Sequence, residues 1–318
     1  MRTYPHLLSQ IFNRPHMMSP ELMALAVEFS KIQLLRTESN LSIQPSMVIQ
    51  SYEPPEEEDD DDDLPTSGLS IIPISGPLVP RTGNLQMCQQ MTAYEQVAAQ
   101  INAALADPEC SQIVFDIDSP GGASTGAFEL ANKIKAAGAI KPTTAIVNFN
   151  AMSGAYLIAA ACNEISLSQT GGVGSIGVIA QHMDVSKMNE AMGLKITAIY
   201  KGDKKNNLSP NEPLNESSMN ELSTMVEKTY QQFVSAVSDF RSLPMNQVID
   251  TQAGLYFGQD AIDAGLADRL ETPQDAINRI ASQAVQTRSA RVNAARQIQI
   301  SKQSLRMRAR AMNLSIQL

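Results

Sequence analysis

Six residues of this 318-residue chain have types and spacing suited to acyl transfer: Gly121, Gly122, Ser153, Gly154 and the lysine pair Lys204 and Lys205. That chemistry needs a nucleophile, a base to take its proton, and N–H donors for the oxyanion that develops. In "NFNAMSGAYLIAAAC", Ser153 follows an expected strand and precedes an expected helix of small residues. A helix N-terminus there would aim its N–H groups at the reaction centre. A serine that only caps the helix is the competing reading. In "DSPGG", Gly121 and Gly122 follow the end of another expected strand. Without a Cβ, their N–H groups can approach a substrate carbonyl closely, although the same letters also describe an ordinary turn.

The base is the harder question. His6 and His16 lie near the N-terminus, which leaves His182 as the one histidine of the central region. With Asp184 or Asp203 it could complete a Ser153–His182 triad. The lysines of "YKGDKKNN" (Lys201, Lys204, Lys205) are the other candidates. A lysine serves as a base only if its pKa falls from about 10.4 towards about 7, a shift of roughly 4–5 kcal/mol. Burial or nearby positive charge must supply that shift, so a lysine base requires a dry pocket.

These residues need elements to position them. "LSIIPISGPLV", "SQIVFDIDSPGG", "TTAIVNFN", "EISLSQ", "GSIGVIA" and "KITAIY" read as short strands. "TAYEQVAAQINAALAD", with Val97, Ile101 and Leu105 on one face, and "STGAFELANKIKAAG" read as helices between them. "YFGQDAIDAGLADRL" reads as a closing helix and turn. Strands alternating with helices predict an α/β domain with a mainly parallel sheet. Before it, "SPELMALAVEFSKIQLL" predicts an amphipathic helix capped by Ser19, with Leu22, Leu25, Phe29 and Ile32 on its apolar face. The expected division is a helical N-terminal extension over 1–50, an acidic linker over 51–68, the catalytic domain over 69–270 and a basic tail over 271–318.

Charge is unevenly spread within a net −9: Glu56 to Asp63 is an unbroken acidic run, and no acid follows Asp275. Such blocks are usually solvated segments. Cys88, Cys110 and Cys162 show no metal-ligand spacing, and their odd number argues against a disulfide framework. No apolar run approaches the roughly 20 residues that span a bilayer. A soluble protein that is not secreted is expected.

In this order, "FDIDSPGG", "AMSGAYLIAAAC", "TGGVGSIGV" and "KGDKKNN" resemble the motifs of serine peptidases of the signal peptide peptidase A type. The resemblance covers about residues 69–270. "PHLLSQIFNRPHMMSPELMALAVEFS" is similar to the start of the phage capsid assembly proteases, the lambda protein C group. It implies a Clp protease/crotonase-like fold and a serine–lysine dyad, with no metal or cofactor. The family nucleophile falls on Ser153, its lysine on Lys205, its lysine-orienting serine on Ser175, and its oxyanion donors on Gly121 and Gly122, with Gly154 contributing. Lys204 beside Lys205 leaves a second register open, and on an extended segment only one of the two can face Ser153. The implied activity is an endopeptidase of prohead maturation. Its implied partners are scaffold, capsid or portal proteins and further copies of itself, not membrane or nucleic acid, within the prohead or virion capsid in the host cytoplasm. A non-proteolytic head protein and a cellular signal-peptide-peptidase-like enzyme are the alternatives.

Overall fold

A computed structural model describes residues 11–35, 68–81, 91–287, 297 and 301–302. The acidic run, His6 and Cys88 lie outside the described residues, as do the side chains of Phe29 and Ile32. Within them the chain forms a mixed α/β structure whose sheets are mostly parallel.

The main sheet is built around β7 (Thr143–Met152). On one side β7 pairs in parallel with β5 (Gln112–Ser119), and β5 pairs in parallel with the edge strand β2 (Leu69–Ser75). Pro73 is tolerated in β2 because an edge strand has one side with no ladder to complete. On its other side β7 is shared. Its first half pairs with β8 (Glu164–Leu167), its last three residues with β9 (Gly172–Gly174). β10 (Leu255–Phe257) closes the β9 edge in antiparallel register, and β11 (Arg269–Leu270) lies parallel to β8.

Both faces of the central strands are covered, which is why "QIVFDIDS" reads as a near-continuous apolar run. Ile113, Phe115 and Ile117 face a core shared with α2 (Tyr94–Ala106), α3 (Ala127–Gly138) and α4 (Gly154–Ala160). The alternate residues Val114 and Ile146 face Ala276 and Ile280, on a helix over residues 273–287. The start of the segment expected as a tail therefore packs on the sheet. Tyr94, Val97, Ile101 and Ala104 are the buried stripe of α2, and Leu105 is half-buried against the same core.

Every residue of α4 is buried, as expected for a helix that is apolar all round. Burying Leu157 and Ile158 completely contributes about 1.5–3 kcal/mol each. This anchoring holds the residue before α4 in a fixed place.

A second, four-stranded sheet runs in the order β1 (His16–Met18), β6 (Gly121–Ala123), β3 (Leu78–Val79) and β4 (Thr92–Ala93). After β1 comes α1 (Pro20–Leu35), whose Leu22 N–H donates to Ser19 Oγ at 3.2 Å. The cap is where the sequence places it, but the face is not: Met23 is buried while Leu25 is 65% exposed.

"GSIGVIA" forms no strand beyond Gly174 apart from one isolated bridge at Ile179, and "KITAIY" forms none. Residues 195–200 alternate like a strand but pair with no strand among the described residues, and Ile199 is 97% exposed. Short helices α5 (Ser186–Ala191), α7 (Met245–Asp250) and α8 (Gly258–Asp263) flank the 26-residue α6 (Glu216–Arg241). Asn215 caps α6 by accepting from Ser218 N–H at 2.8 Å.

Candidate active site

Ser153 stands between the end of β7 and the start of α4, with φ 54° and ψ −114°. Such a backbone is sparsely populated for any residue with a Cβ and costs on the order of 1–3 kcal/mol. Three things hold it there. β7 arrives through its pairing with β9 (Met152 opposite Gly174), Ser153 N–H donates to Gly174 O at 2.8 Å, and α4 departs into the core. This turn is more than a cap, because Ser153 Oγ makes no capping bond to α4. It donates instead to Gly177 O at 3.4 Å.

Ser175 follows Gly174 directly, so the β7–β9 register brings it alongside Ser153. It too has a positive φ, 54°, and its N–H donates to Gly254 O at 2.9 Å. "GSIG" is thus a sharp turn leaving the sheet next to the serine, in place of the strand expected there.

Gly121 and Gly122 arrive from β6. Gly121 has φ +91°, and a Cβ there would overlap Met17 O and lie 2.8 Å from Met152 O and 3.0 Å from Gly154 N. A Cβ on Gly154 would lie 3.5 Å from Gly122 N. The three glycines therefore form one packed cluster against Ser153, and at Gly121 and Gly122 a side chain would overlap backbone atoms. Their amides are not equivalent. Gly121 N–H is engaged by Ser119 Oγ at 3.2 Å, which leaves Gly122 and Gly154 as the better candidates for oxyanion donors. Ser119 was not singled out in the sequence. It is fully buried, donates to Gly76 O at 2.7 Å and pins the glycine turn.

The lysines lie elsewhere in the single chain. Lys201, Lys204 and Lys205 are exposed, in a turn rather than on an extended segment: Lys205 N–H donates to Gly202 O at 3.0 Å. Lys204 lines an open groove of about 660 Å³ along α6 with Glu216, Asn220 and Glu221. Lys205 makes no side-chain hydrogen bond to any described residue, and none of the three lysines is bonded to Ser153.

The two described histidines, His16 and His182, bond elsewhere. His182 Nδ1 is 2.9 Å from Asn13 Oδ1, and Asp184 accepts from Ser186 N–H at 2.8 Å. Hydrogen bonds from the Ser186 side chain and then its N–H hold the Asp184 carboxyl below its usual pKa; this carboxylate serves its own turn. The parts of a Ser153–His182–Asp184 triad are not assembled. His16, in β1, is buried with Nε2 2.9 Å from Ile11 O. Burial, together with the nearby Arg14, pushes its pKa below the ordinary 6.5, against the pull of the Ile11 carbonyl.

That shift has a consequence for pH. The folded chain binds fewer protons at His16 than the unfolded chain does, so the stability tied to neutral His16 is present above pH 6.5 and is lost as pH falls through and below it. The urea midpoint should fall between pH 7.5 and 5.5, and His16→Gln should flatten that fall. An equal slope in the variant would show that other groups are responsible.

Comparison with known proteins fits this arrangement. The sequence profile of peptidase family S49 matches residues 135–287, which include Ser153, Ser175 and the lysines. Capsid assembly protease C of Escherichia phage lambda is 33% identical over 305 residues, 93% of this chain and 69% of the relative. The chain belongs to peptidase family S49. It is therefore a serine peptidase, of a family that works with a Ser–Lys dyad. Head-tail preconnector protein GP5 of Enterobacteria phage P21 is 30% identical over 289 residues, 88% of this chain but 58% of the relative. Protease 4 of Salmonella typhi is 27% identical over 189 residues, 59% of this chain and 30% of the relative. The chain is thus homologous to a phage capsid assembly protease over most of its own length. Among the described residues no helix is long and apolar enough to cross a membrane.

Proposed function

We propose that the chain is a Ser–Lys endopeptidase of phage prohead maturation, with Ser153 as nucleophile and Lys205 as base, the two meeting between neighbouring copies. The observation that carries this reading is the strained, fully buried Ser153 turn, set in register with Ser175 and packed against the glycine cluster. Strain of this kind persists where the surroundings over-determine it, and it gathers at active sites. In the Clp protease/crotonase-like arrangement that S49 membership supports, neutral Lys205 takes the Ser153 proton and Ser153 attacks the peptide carbonyl. Gly122 and Gly154 amides hold the oxyanion, and the lysine ammonium protonates the leaving amine. Water then hydrolyses the acyl-enzyme.

Meeting between copies is supported by the arm that carries the lysine. Leu194, Ile196, Ile199 and Tyr200 are all more than half exposed, which makes this apolar, strand-like segment an edge for a second copy to cover. Docking there would also dry Lys205, as a lysine base requires. Lys204 lies along α6, which favours Lys205 for the role, with Ser175 orienting it.

The substrates follow from the relatives named for capsid assembly and the head–tail preconnector: scaffold, capsid or portal proteins inside the prohead. The basic tail (271–318), whose first helix packs on the sheet, would dock on acidic surfaces of those partners. Co-expression with capsid and scaffold proteins tests the register of the base. Lys205→Ala should abolish their cleavage, while Lys204→Ala and His182→Ala should retain it. Loss with Lys204→Ala and activity in Lys205→Ala would move the base by one residue.

A further inference from the structure

The segment before α1 lies along the Ser153 site as an extended peptide. β1 pairs antiparallel with β6, placing Met17 opposite Gly122 and Met18 opposite Gly121. On its other edge His16 N–H donates to Ile179 O at 2.8 Å and Ile179 N–H to His16 O at 3.0 Å. Asn13 N–H extends this edge to Gln181 O at 2.9 Å, and Ser19 N–H closes the other onto Pro120 O at 3.0 Å. A peptide held by main-chain bonds on two edges is how extended chains are recognised without regard to most of their sequence.

What singles out this strand is where its middle falls. Met17 O lies against Gly121, and a Cβ on Gly154 would be 3.1 Å from it. One peptide carbonyl of the N-terminal segment thus sits among the amides proposed to hold the oxyanion. The Met17 side chain is fully buried and lies next to Gly154, with its Cβ 3.5 Å from where a Gly154 Cβ would stand. Ser153 has no exposed surface. A nucleophile in that state cannot meet an external chain until something over it moves. Beyond Met18 the cleft is open, a cavity of about 570 Å³ lined by Asn150, Met152, Ser175, Ile179, Leu255 and Phe257.

We infer that residues His16–Met18 occupy the lane of the substrate strand, with Met17 in the place of the residue whose carbonyl Ser153 attacks. The N-terminal segment is an internal ligand that an incoming chain must displace. The inference rests on the proposed role of Ser153. It also states a preference: the pocket that takes Met17 fits an unbranched apolar side chain on the N-terminal side of the cleaved bond. The clasp has side-chain fastenings outside the lane. Ser124 Oγ donates to Pro15 O at 2.7 Å, and Asn13 Nδ2 donates to Leu208 O at 2.9 Å while its Oδ1 faces His182.

Steady-state cleavage of fluorescent casein by the full chain tests this, comparing wild type with Met17→Asp and Asn13→Ala. If the segment fills the lane in nine molecules of ten, roughly, freeing it lowers KM by about tenfold at unchanged kcat, because only the open fraction binds. A synthetic peptide of residues 11–21 should then inhibit Met17→Asp competitively, and inhibit wild type less. A segment that merely walls the site predicts the opposite: KM unchanged or raised, and no inhibition by the peptide. Asn13→Ala keeps the Met17 side chain but removes the fastenings to Leu208 O and His182, so it should lower KM in the same direction, and an unchanged KM in that variant overturns the proposal even if Met17→Asp fails to fold. Ser153→Ala in each background separates the two readings. Cleavage lost with Ser153 but insensitive to the segment would overturn this inference alone, whereas cleavage retained without Ser153 would overturn the nucleophile assignment and this inference with it.

Discussion

Ser153→Ala should reduce cleavage of head proteins by about 10⁴–10⁶-fold in kcat/KM, the loss expected when a nucleophile that acts as a unit with its base is removed. The fold should survive the change. Ser153 Oγ has one long hydrogen bond, 3.4 Å to Gly177 O, so alanine forfeits little, and the Ser153 N–H bond to Gly174 O belongs to the backbone. Alanine also faces the same positive φ that serine does, so the strained turn is no worse off. An unchanged denaturation midpoint with cleavage abolished would separate chemistry from stability. Cleavage near the wild-type rate would remove the nucleophile assignment and leave Ser153 a structural residue of the turn.

Gly122→Ala should cost both stability and activity. A Cβ at that position would overlap Leu78 O and stand 2.6 Å from Leu78 N, both backbone atoms of the neighbouring strand β3. Neither can rotate away as a side chain would, so β3 and β6 must separate or the turn before Ser153 must shift. Overpacking of this kind costs roughly 1–3 kcal/mol or more. The same displacement moves a proposed oxyanion donor, and an error of about 1 Å in such a site can cost about 100-fold in rate. Gly154→Ala is the informative control. Its Cβ would sit 3.1 Å from Met17 O and 3.5 Å from Gly122 N, so it should be milder in stability. Equal midpoints for Gly122→Ala and wild type would contradict the packing argument.

Much of this was legible in the sequence because the relevant signals are local. The strands β5 and β7 are apolar runs that end at "DSPGG" and "MSGA", and these ends deliver the glycines and Ser153 to one place. A parallel sheet brings the ends of neighbouring strands together, so the chemistry-bearing turns had to converge. The mixed α/β class follows from the same alternation.

What was hidden depends on long-range pairing. β1 is three residues, "HMM", with no periodicity to announce it, and it becomes a strand only because β6 and Ile179 offer it two edges. The apolar face of α1 was misplaced for a related reason: which side of that helix is covered depends on where β1 has already put it. "KITAIY" shows the reverse error. Its alternation is that of a strand, but a strand needs an edge, and the described residues of one chain provide none. Ser119 went unnoticed because its importance lies in two hydrogen bonds to backbone groups, at Gly76 and Gly121, that only the folded turn creates. The family resemblance puts the base on Lys205. Its exposure in the single chain was not readable, since a lysine's solvation is set by what packs over it.

The most direct measurement of the central claim is complementation between two inactive variants. Ser153→Ala and Lys205→Ala would be co-expressed at equal levels, so that mixed assemblies form, and cleavage of the capsid and scaffold proteins would be compared with each variant alone. If serine and lysine meet between neighbouring copies, about a quarter of the junctions in a randomly mixed ring pair an intact serine with an intact lysine, and about that share of wild-type activity returns. If the mixture is as inactive as its parts although mixed assemblies form, Ser153 and Lys205 do not act across an interface, and the account given for the base is wrong.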